Sequence, residues 1–284
     1  MLARTIRAPI CADDRWYPRD AAQLRFLLDS FFENVPTLAA QGELVALIAP
    51  HAGLQFSGQT AAYAYQHLAS ATYERVVILG PSHFQNFGAP AVNRVDAFET
   101  PLGAVTVDTK LLRELDAQTS IQRLDQDREH SLEMQLPFLQ RQLKNFSILP
   151  VMMSHPFYLY GLRAQNECAT LAHALAPLTQ RDTLLVASSD LSHLHSYDAV
   201  TYFDQGLENI LVEYDIGALM DYLVNEGEPR ACGDMAIVTT MLTAQLRGAN
   251  TLRVFYRTNS GDVTGNPAPG QYTVGYMAAG IYKI

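Results

Sequence analysis

Short runs of Val, Ile and Leu recur along the 284-residue chain, each ending in small or polar residues and followed by a stretch where apolar side chains return at helical spacing. Leu44–Ala49, Arg75–Gly80, Phe146–Val151 and Thr183–Ser188 are such runs. Their hydrophobicity is near-continuous rather than alternating, as in strands covered on both faces, so they are expected at the centre of a mostly parallel sheet. Leu24, Leu27, Leu28 and Phe31 mark one helical face behind a capping Asp20. Leu132, Leu136, Leu139 and Leu143 mark another, interrupted by Pro137, which must kink the helix or stand near its start. A helix over Gly233–Arg247 precedes strands over Leu252–Arg257 and Tyr272–Ile284, and the Gly/Pro/Asn-rich loop between them makes the pair read as a hairpin at the sheet edge. The expected fold class is therefore α/β, a mostly parallel central sheet flanked by helices. With no repeat, linker or low-complexity tract, residues 1–284 read as a single domain.

Composition narrows the function. Hydrophobic residues make up 48% of the chain and charged residues 17%, enough apolar surface for a core. The formal net charge is -9, and the Arg and Lys residues are scattered, which argues against nucleic acid and anionic membranes as partners. No run reaches membrane-spanning length, and charges between Met1 and Asp14 come too early for a secretory signal. Cys11, Cys168 and Cys232 lie far apart without a CxxC pair, so a reducing, cytoplasmic setting is expected rather than a disulfide scaffold. Dinucleotide-binding, P-loop, HExxH and GxSxG signatures are absent, and Ser192 is too near His193 in sequence for a Ser–His nucleophile pair.

The chemistry gathers where three of the strands end. In open α/β sheets ligands bind outside the carboxyl ends of the strands. The run ending at Ala49 leads into Pro50 and His51, that ending at Gly80 into Pro81, Ser82 and His83, and that ending at Ser188 into Asp190 and His193. A single histidine so placed usually satisfies a loop carbonyl, but loop packing does not require the same residue type at three strand ends, whereas imidazole ligation of a metal does. If the three strands are neighbours, His51, His83, Asp190 and His193 face one crevice. Gly53 and Gly80 fit close backbone approach to a ligand, or ordinary turn chemistry. His130 opens a helical pattern in which Ser131 would be the cap and Glu133 a first-turn acid, both structural roles. Cys232 stands just before a helix, where the dipole favours a thiolate, although an inert buried thiol fits equally. Cys168, beside Ala169 and Leu171, reads as core, and His67, His155, His173 and His195 as structural or surface residues.

Taken in order, Trp16-Tyr17-Pro18, Ala49–Gly53 with Ser57 and Gly58, Leu79–His83, Glu99–Gly103, Glu129–Leu136, Ser188–His193 and Cys232-Gly233 resemble the motifs of the Memo family over nearly the whole chain. The resemblance implies a fold like that of the class III extradiol ring-cleaving dioxygenases. It makes His51, His83 and Cys232 the metal ligands, with Asp190 and His193 as catalytic residues and Trp16, Ser82 and His130 in the same pocket. Iron is the cofactor expected of two imidazoles and a thiolate, with copper or zinc as alternatives. The activity implied is that of a dioxygenase-like oxidoreductase, and the alternative is a non-catalytic module that binds a ligand or phosphopeptide or handles metal. Partners implied are an unidentified small-molecule or peptide ligand, and the radical SAM protein and third partner that often share a gene neighbourhood with bacterial and archaeal members. Two positions depart from the family pattern: Arg15, where glycine is usual, and Phe84, where a second histidine often follows.

Overall fold

A computed structural model describes residues 5–36, 42–69, 71–225 and 230–284. The first residues of the Met1–Asp14 stretch, read above for a secretory signal, lie outside the described residues. In chain order the strands are β1 (Ile6–Arg7), β2 (Glu43–Ala49), β3 (Arg75–Pro81), β4 (Ala91–Asn93), β5 (Ala97–Thr100), β6 (Gly103–Val107), β7 (Gln122–Leu124), β8 (Ser147–Met153), β9 (Thr183–Ser188), β10 (His193–Leu194), β11 (Thr251–Asn259) and β12 (Thr273–Lys283). The helices are α1 (Ala21–Glu33), α2 (Leu54–Tyr65), α3 (Thr109–Asp116), α4 (Leu136–Gln142), α5 (Phe157–Tyr160), α6 (Leu162–Leu175), α7 (Tyr197–Glu213), α8 (Ile216–Asn225), α9 (Asp234–Leu246) and α10 (Ser260–Thr264).

The strands join one α/β sheet in the order β1-β5-β6-β8-β3-β9-β2-β12-β10, with β11 on β12 and β4 on β7 and β8. At its centre β8, β3, β9 and β2 are mutually parallel, so the four apolar runs of the sequence lie side by side. Their near-continuous hydrophobicity has the expected cause. Val77, Leu79, Leu185 and Ala187 point into a core shared with α6, α7 and α9, while Val76, Ile78, Leu184 and Val186 point into a second core shared with α1, α2 and α4. The terminal strands form an antiparallel hairpin, β12 pairing with β2 and β11 outermost, and the loop between them winds into α10. Asp20 caps α1, its carboxylate accepting from the Gln23 N–H at 2.8 Å. Cys168 is fully buried on α6. No helix among the described residues is long and apolar enough to cross a membrane.

One alternative is settled and two local expectations are corrected. Pro137 is the second residue of α4, which follows a 3₁₀ turn over Glu133–Gln135, so the proline starts the helix and does not kink it. Ser131 caps nothing: its hydroxyl donates to the Pro81 carbonyl at the end of β3 (2.8 Å). Nor does Glu133 act as a helix-dipole acid. Its buried carboxylate accepts from Tyr17 Oη (2.5 Å), the backbone N–H groups of Ile10 and Cys11 (3.0 and 2.8 Å) and Arg7 Nη1 (2.5 Å). Arg7 also pairs with both oxygens of Asp127 (2.8 Å each) and reaches the Glu129 carbonyl (2.7 Å). This network ties the N-terminal segment to the rim of the sheet. Because it is buried, removing one member leaves the others charged and unpaired. Arg7→Met is accordingly expected to lower unfolding free energy by about 3–5 kcal/mol, read from urea denaturation. A change within error would show that the network contributes little.

Candidate metal centre

The parallel pairing of β2, β9 and β3 delivers His51, Asp190, His193 and His83 to one crevice, and the N-terminal approach to α9 adds Cys232. His51 Nε2 lies 3.2 Å from Cys232 Sγ. The His51 and His83 rings meet edge-on with centroids 5.3 Å apart. One ligand atom from each of His51, His83 and Cys232 falls within 4.8 Å of the other two, as also holds for Asp190, His193 and Cys232, and for His83, Glu129 and His130.

Hydrogen bonds assign which imidazole nitrogen is free. Glu129 is held at about 2: burial pushes its carboxyl up, but the hydrogen bond from His83 and the neighbouring His83 and His130 rings outweigh that. An ionised carboxylate only accepts, so His83 Nδ1, 2.9 Å from Glu129 Oε1, carries the hydrogen and Nε2 keeps its lone pair. The His51 assignment runs through three side chains. Gln135 Nε2 donates to the Pro50 carbonyl (3.1 Å) and to Ser188 Oγ (2.7 Å), while its Oε1 accepts from Tyr65 (2.7 Å). Ser188 spends its one hydrogen on the Ser131 carbonyl (2.6 Å), so toward His51 Nδ1, at 2.9 Å, it can only accept. His51 is thus protonated at Nδ1 and bare at Nε2, the atom facing the sulfur. Burial, then the neighbouring His83, lowers its proton affinity and keeps the ring neutral.

The other residues surround this pair. Asp190 Oδ1 accepts from the His51 and Ala52 N–H groups (2.8 and 3.3 Å), holding the β2 loop, while the Asp190 N–H points at Cys232 Sγ (3.3 Å). His193 Nδ1 is 3.1 Å from Tyr272 Oη, and its buried Nε2 has no partner. Its orientation is therefore set by Tyr272, with Asp190 acting on His51 instead. Burial leaves His193 less basic than usual and pushes the Asp190 carboxyl up. His130 packs between His83 and Trp16, with centroids at 4.6 and 4.2 Å, and burial brings it down to about 3.

A cavity of about 860 Å³ opens over the crevice, lined at its base by His51, His83, His130, Asp190 and His193 and on its walls by Trp16, Phe56, Tyr272 and Tyr276. Arg15, Gln55, Asn266 and Gln271 form a polar rim. Ser82 does not line it: its hydroxyl donates to the Gln85 carbonyl (2.7 Å), and it borders a smaller cavity behind the site. Two further expectations change, and the double reading of His155 resolves to a structural residue. A Cβ on Gly80 would sit 2.8 Å from Ser131 Oγ, so that glycine admits another part of the chain and not a ligand, whereas Gly53, where a Cβ would sit 2.7 Å from the Arg15 carbonyl, also lines the cavity. The helix-dipole argument for a thiolate at Cys232 is outweighed by burial and by Asp190, which hold the thiol well above its ordinary range. His155, read as structural or surface, is fully buried against Glu167 (2.7 Å).

Glu129, Ser188, Gln135 and Tyr272 are partners that sequence reasoning did not assign. Glu129 lay inside a quoted motif, but nothing in its spacing showed that it would meet His83, 46 residues away.

Known proteins resemble this chain over most of its length. The family described as Memo-like protein matches residues 7–279. A MEMO1 family protein of Nitrosopumilus maritimus is 32% identical over 282 residues, covering 96% of this chain and 98% of that protein. One from Methanothermobacter thermautotrophicus is 31% identical, covering 92% and 96% respectively. The memo-1 homolog of Caenorhabditis elegans is 32% identical, covering 81% of this chain and 69% of that protein. The fold and site define an α/β protein with His/Cys groups able to hold a metal ion. The chain belongs to the Memo family.

Two outcomes follow from the hydrogen bonding. Glu129→Gln no longer fixes the His83 tautomer, and metal affinity should fall about 10–100-fold with the fold retained, measured by competition with a chromophoric chelator. Unchanged affinity would show that His83 needs no orienting carboxylate. Asp204, buried on α7, accepts from the Ser192 N–H (3.1 Å) and is pushed by burial from 3.8 to about 6. Its proton is held more tightly in the folded state, so its contribution is complete below about pH 4 and lost as pH rises through 6. Asp204→Asn should flatten that loss, making the variant more stable than wild type at pH 8 by about 1–3 kcal/mol in chemical denaturation, and an equal pH slope in both proteins would refute it.

Proposed function

We propose that this protein holds one metal ion, iron with copper or zinc as alternatives, on His51, His83 and Cys232, and with iron or copper bound acts as a dioxygenase-like oxidoreductase on a small organic ligand in the large cavity. The observation that carries this reading is that the Nδ1 atoms of both His51 and His83 are engaged by Ser188 and Glu129, which leaves Nε2 as the available ligand atom of each ring, that of His51 lying 3.2 Å from the Cys232 sulfur. Structural histidines do not need that arrangement, whereas ligation does. A thiolate with two imidazoles selects for softer transition metals, and such an ion would supply open positions for an oxygen-donor ligand and a small oxidant. Deprotonation of Cys232 accompanies binding, since burial keeps the free thiol protonated.

The chain's own groups have distinct tasks. His193, neutral and oriented through Tyr272, presents its unpartnered Nε2 as acid or base toward a ligand at the centre. Asp190 fixes the His51 loop and borders the cavity base. Trp16 and Tyr272 offer faces on which a planar ligand can stack, and the amide-rich rim suits a neutral polar extension.

A rival ligand set has its own support, because Asp190, His193 and Cys232 also converge within 4.8 Å. Metal analysis after anaerobic purification separates the two. About one iron per chain is expected in wild type, with most of it lost in His51→Ala and His83→Ala and most kept in His193→Ala. Loss in His193→Ala with retention in the first two would replace the proposed set by the rival one.

A further inference from the structure

The crevice is reached from two sides. Behind it lies a second cavity of about 290 Å³, and the two linings share only His83 and His193. Cys232 borders the rear cavity alone, whereas His51 borders the front one alone. The thiol and the large ligand space therefore belong to different cavities, which meet at His83 and His193.

The rear walls are chemically quiet. Pro81, Met153, Pro156, Ala231, Met235 and Ala236 supply apolar surface. Away from the face that His83 and His193 share with the front cavity, Asp234 and Ser82 are already committed. Asp234 is 3% exposed, and its two oxygens accept from the Met235 and Phe157 N–H groups (2.6 and 2.8 Å). Ser82 donates to Gln85. Apart from His83 and His193 at the centre and Tyr158 on the wall, the lining is mostly apolar, and a cavity with apolar walls favours small neutral molecules over ordered water.

We propose that the rear cavity is a separate entry by which a small neutral molecule of the size and polarity of dioxygen reaches the centre while an organic ligand fills the front cavity. Its chemical purpose rests on the metal-centre reading above; the route itself does not. Two entries resolve a steric conflict, because a ligand stacked between Trp16 and Tyr272 would cover the front approach to His51 and His83.

Access is tested on the metal-free full-length protein by the rate at which iodoacetamide, small and neutral, alkylates Cys232, mapped by mass spectrometry. Tyr158, a half-buried wall residue of the rear cavity, is truncated in Tyr158→Ala. Ala236→Leu fills the same cavity, and Thr264→Trp crowds the exposed front rim. Labelling severalfold faster in Tyr158→Ala, severalfold slower in Ala236→Leu and unchanged in Thr264→Trp supports the rear route. Slowing by Thr264→Trp, or no response to Tyr158→Ala, overturns it. Circular dichroism and labelling of the buried Cys11 and Cys168 report unfolding; should Ala236→Leu fail to fold, the other two variants decide. Metal content does not enter the measurement, so loss of the ligand assignment and loss of the route are separate results.

Discussion

Where β2, β3 and β9 stop pairing, their last carbonyls and the polar residues that follow are buried, and each needs a hydrogen-bond partner that the sheet no longer supplies. One short segment, Glu129–Gln135, provides most of them. Glu129 takes the His83 N–H and ring, Ser131 reaches the Pro81 carbonyl and receives Ser188, and Gln135 reaches Pro50 and Ser188. Glu133, from the same segment, draws in Tyr17 and the backbone of Ile10 and Cys11. The partners that satisfy the strand ends are therefore the ones that fix the imidazoles, and the centre cannot be separated from the packing of the sheet's carboxyl edge.

Electrostatics follow from that burial. Three histidines in a low-dielectric crevice repel one another if charged, and burial with mutual proximity keeps His51 and His130 neutral. Glu129 stays ionised beside them because hydrogen bonds from His83 and nearby backbone outweigh its own desolvation. The result is a set of neutral nitrogen donors, one protonated thiol and one anchored anion behind them. Such a set is poised for a cation: binding one relieves the stacking of unneutralised lone pairs and drives off the thiol proton, so occupancy and pH are coupled.

Much of this arrangement could be read from residue order, and the reason is the geometry of parallel strands. A run such as Thr183–Ser188 carries its own boundaries in its composition, and a residue just past its end must lie at the carboxyl edge, which is how His51, His83, Asp190 and His193 could be placed together. Roles that depend on contacts across the fold were not legible. Ser131 and Glu133 satisfy local rules for a cap and a first-turn acid, yet both are claimed by tertiary partners more than 40 residues away. The same limit applies to Cys232: its place before α9 indicates the dipole, but only the packing shows how much solvent it has lost.

The two departures from the family pattern gain meaning from where they fall. Arg15 is 84% exposed and bound to Asp13, on the rim and outside the Glu133 network, so exchanging glycine for arginine there changes the mouth of the front cavity and leaves Trp16 seated on His130. Phe84 is 60% exposed with its ring 6.3 Å from that of His130. A histidine at position 84 would add a third imidazole at the edge of the group formed by His83, Glu129 and His130, whereas phenylalanine cannot ligate.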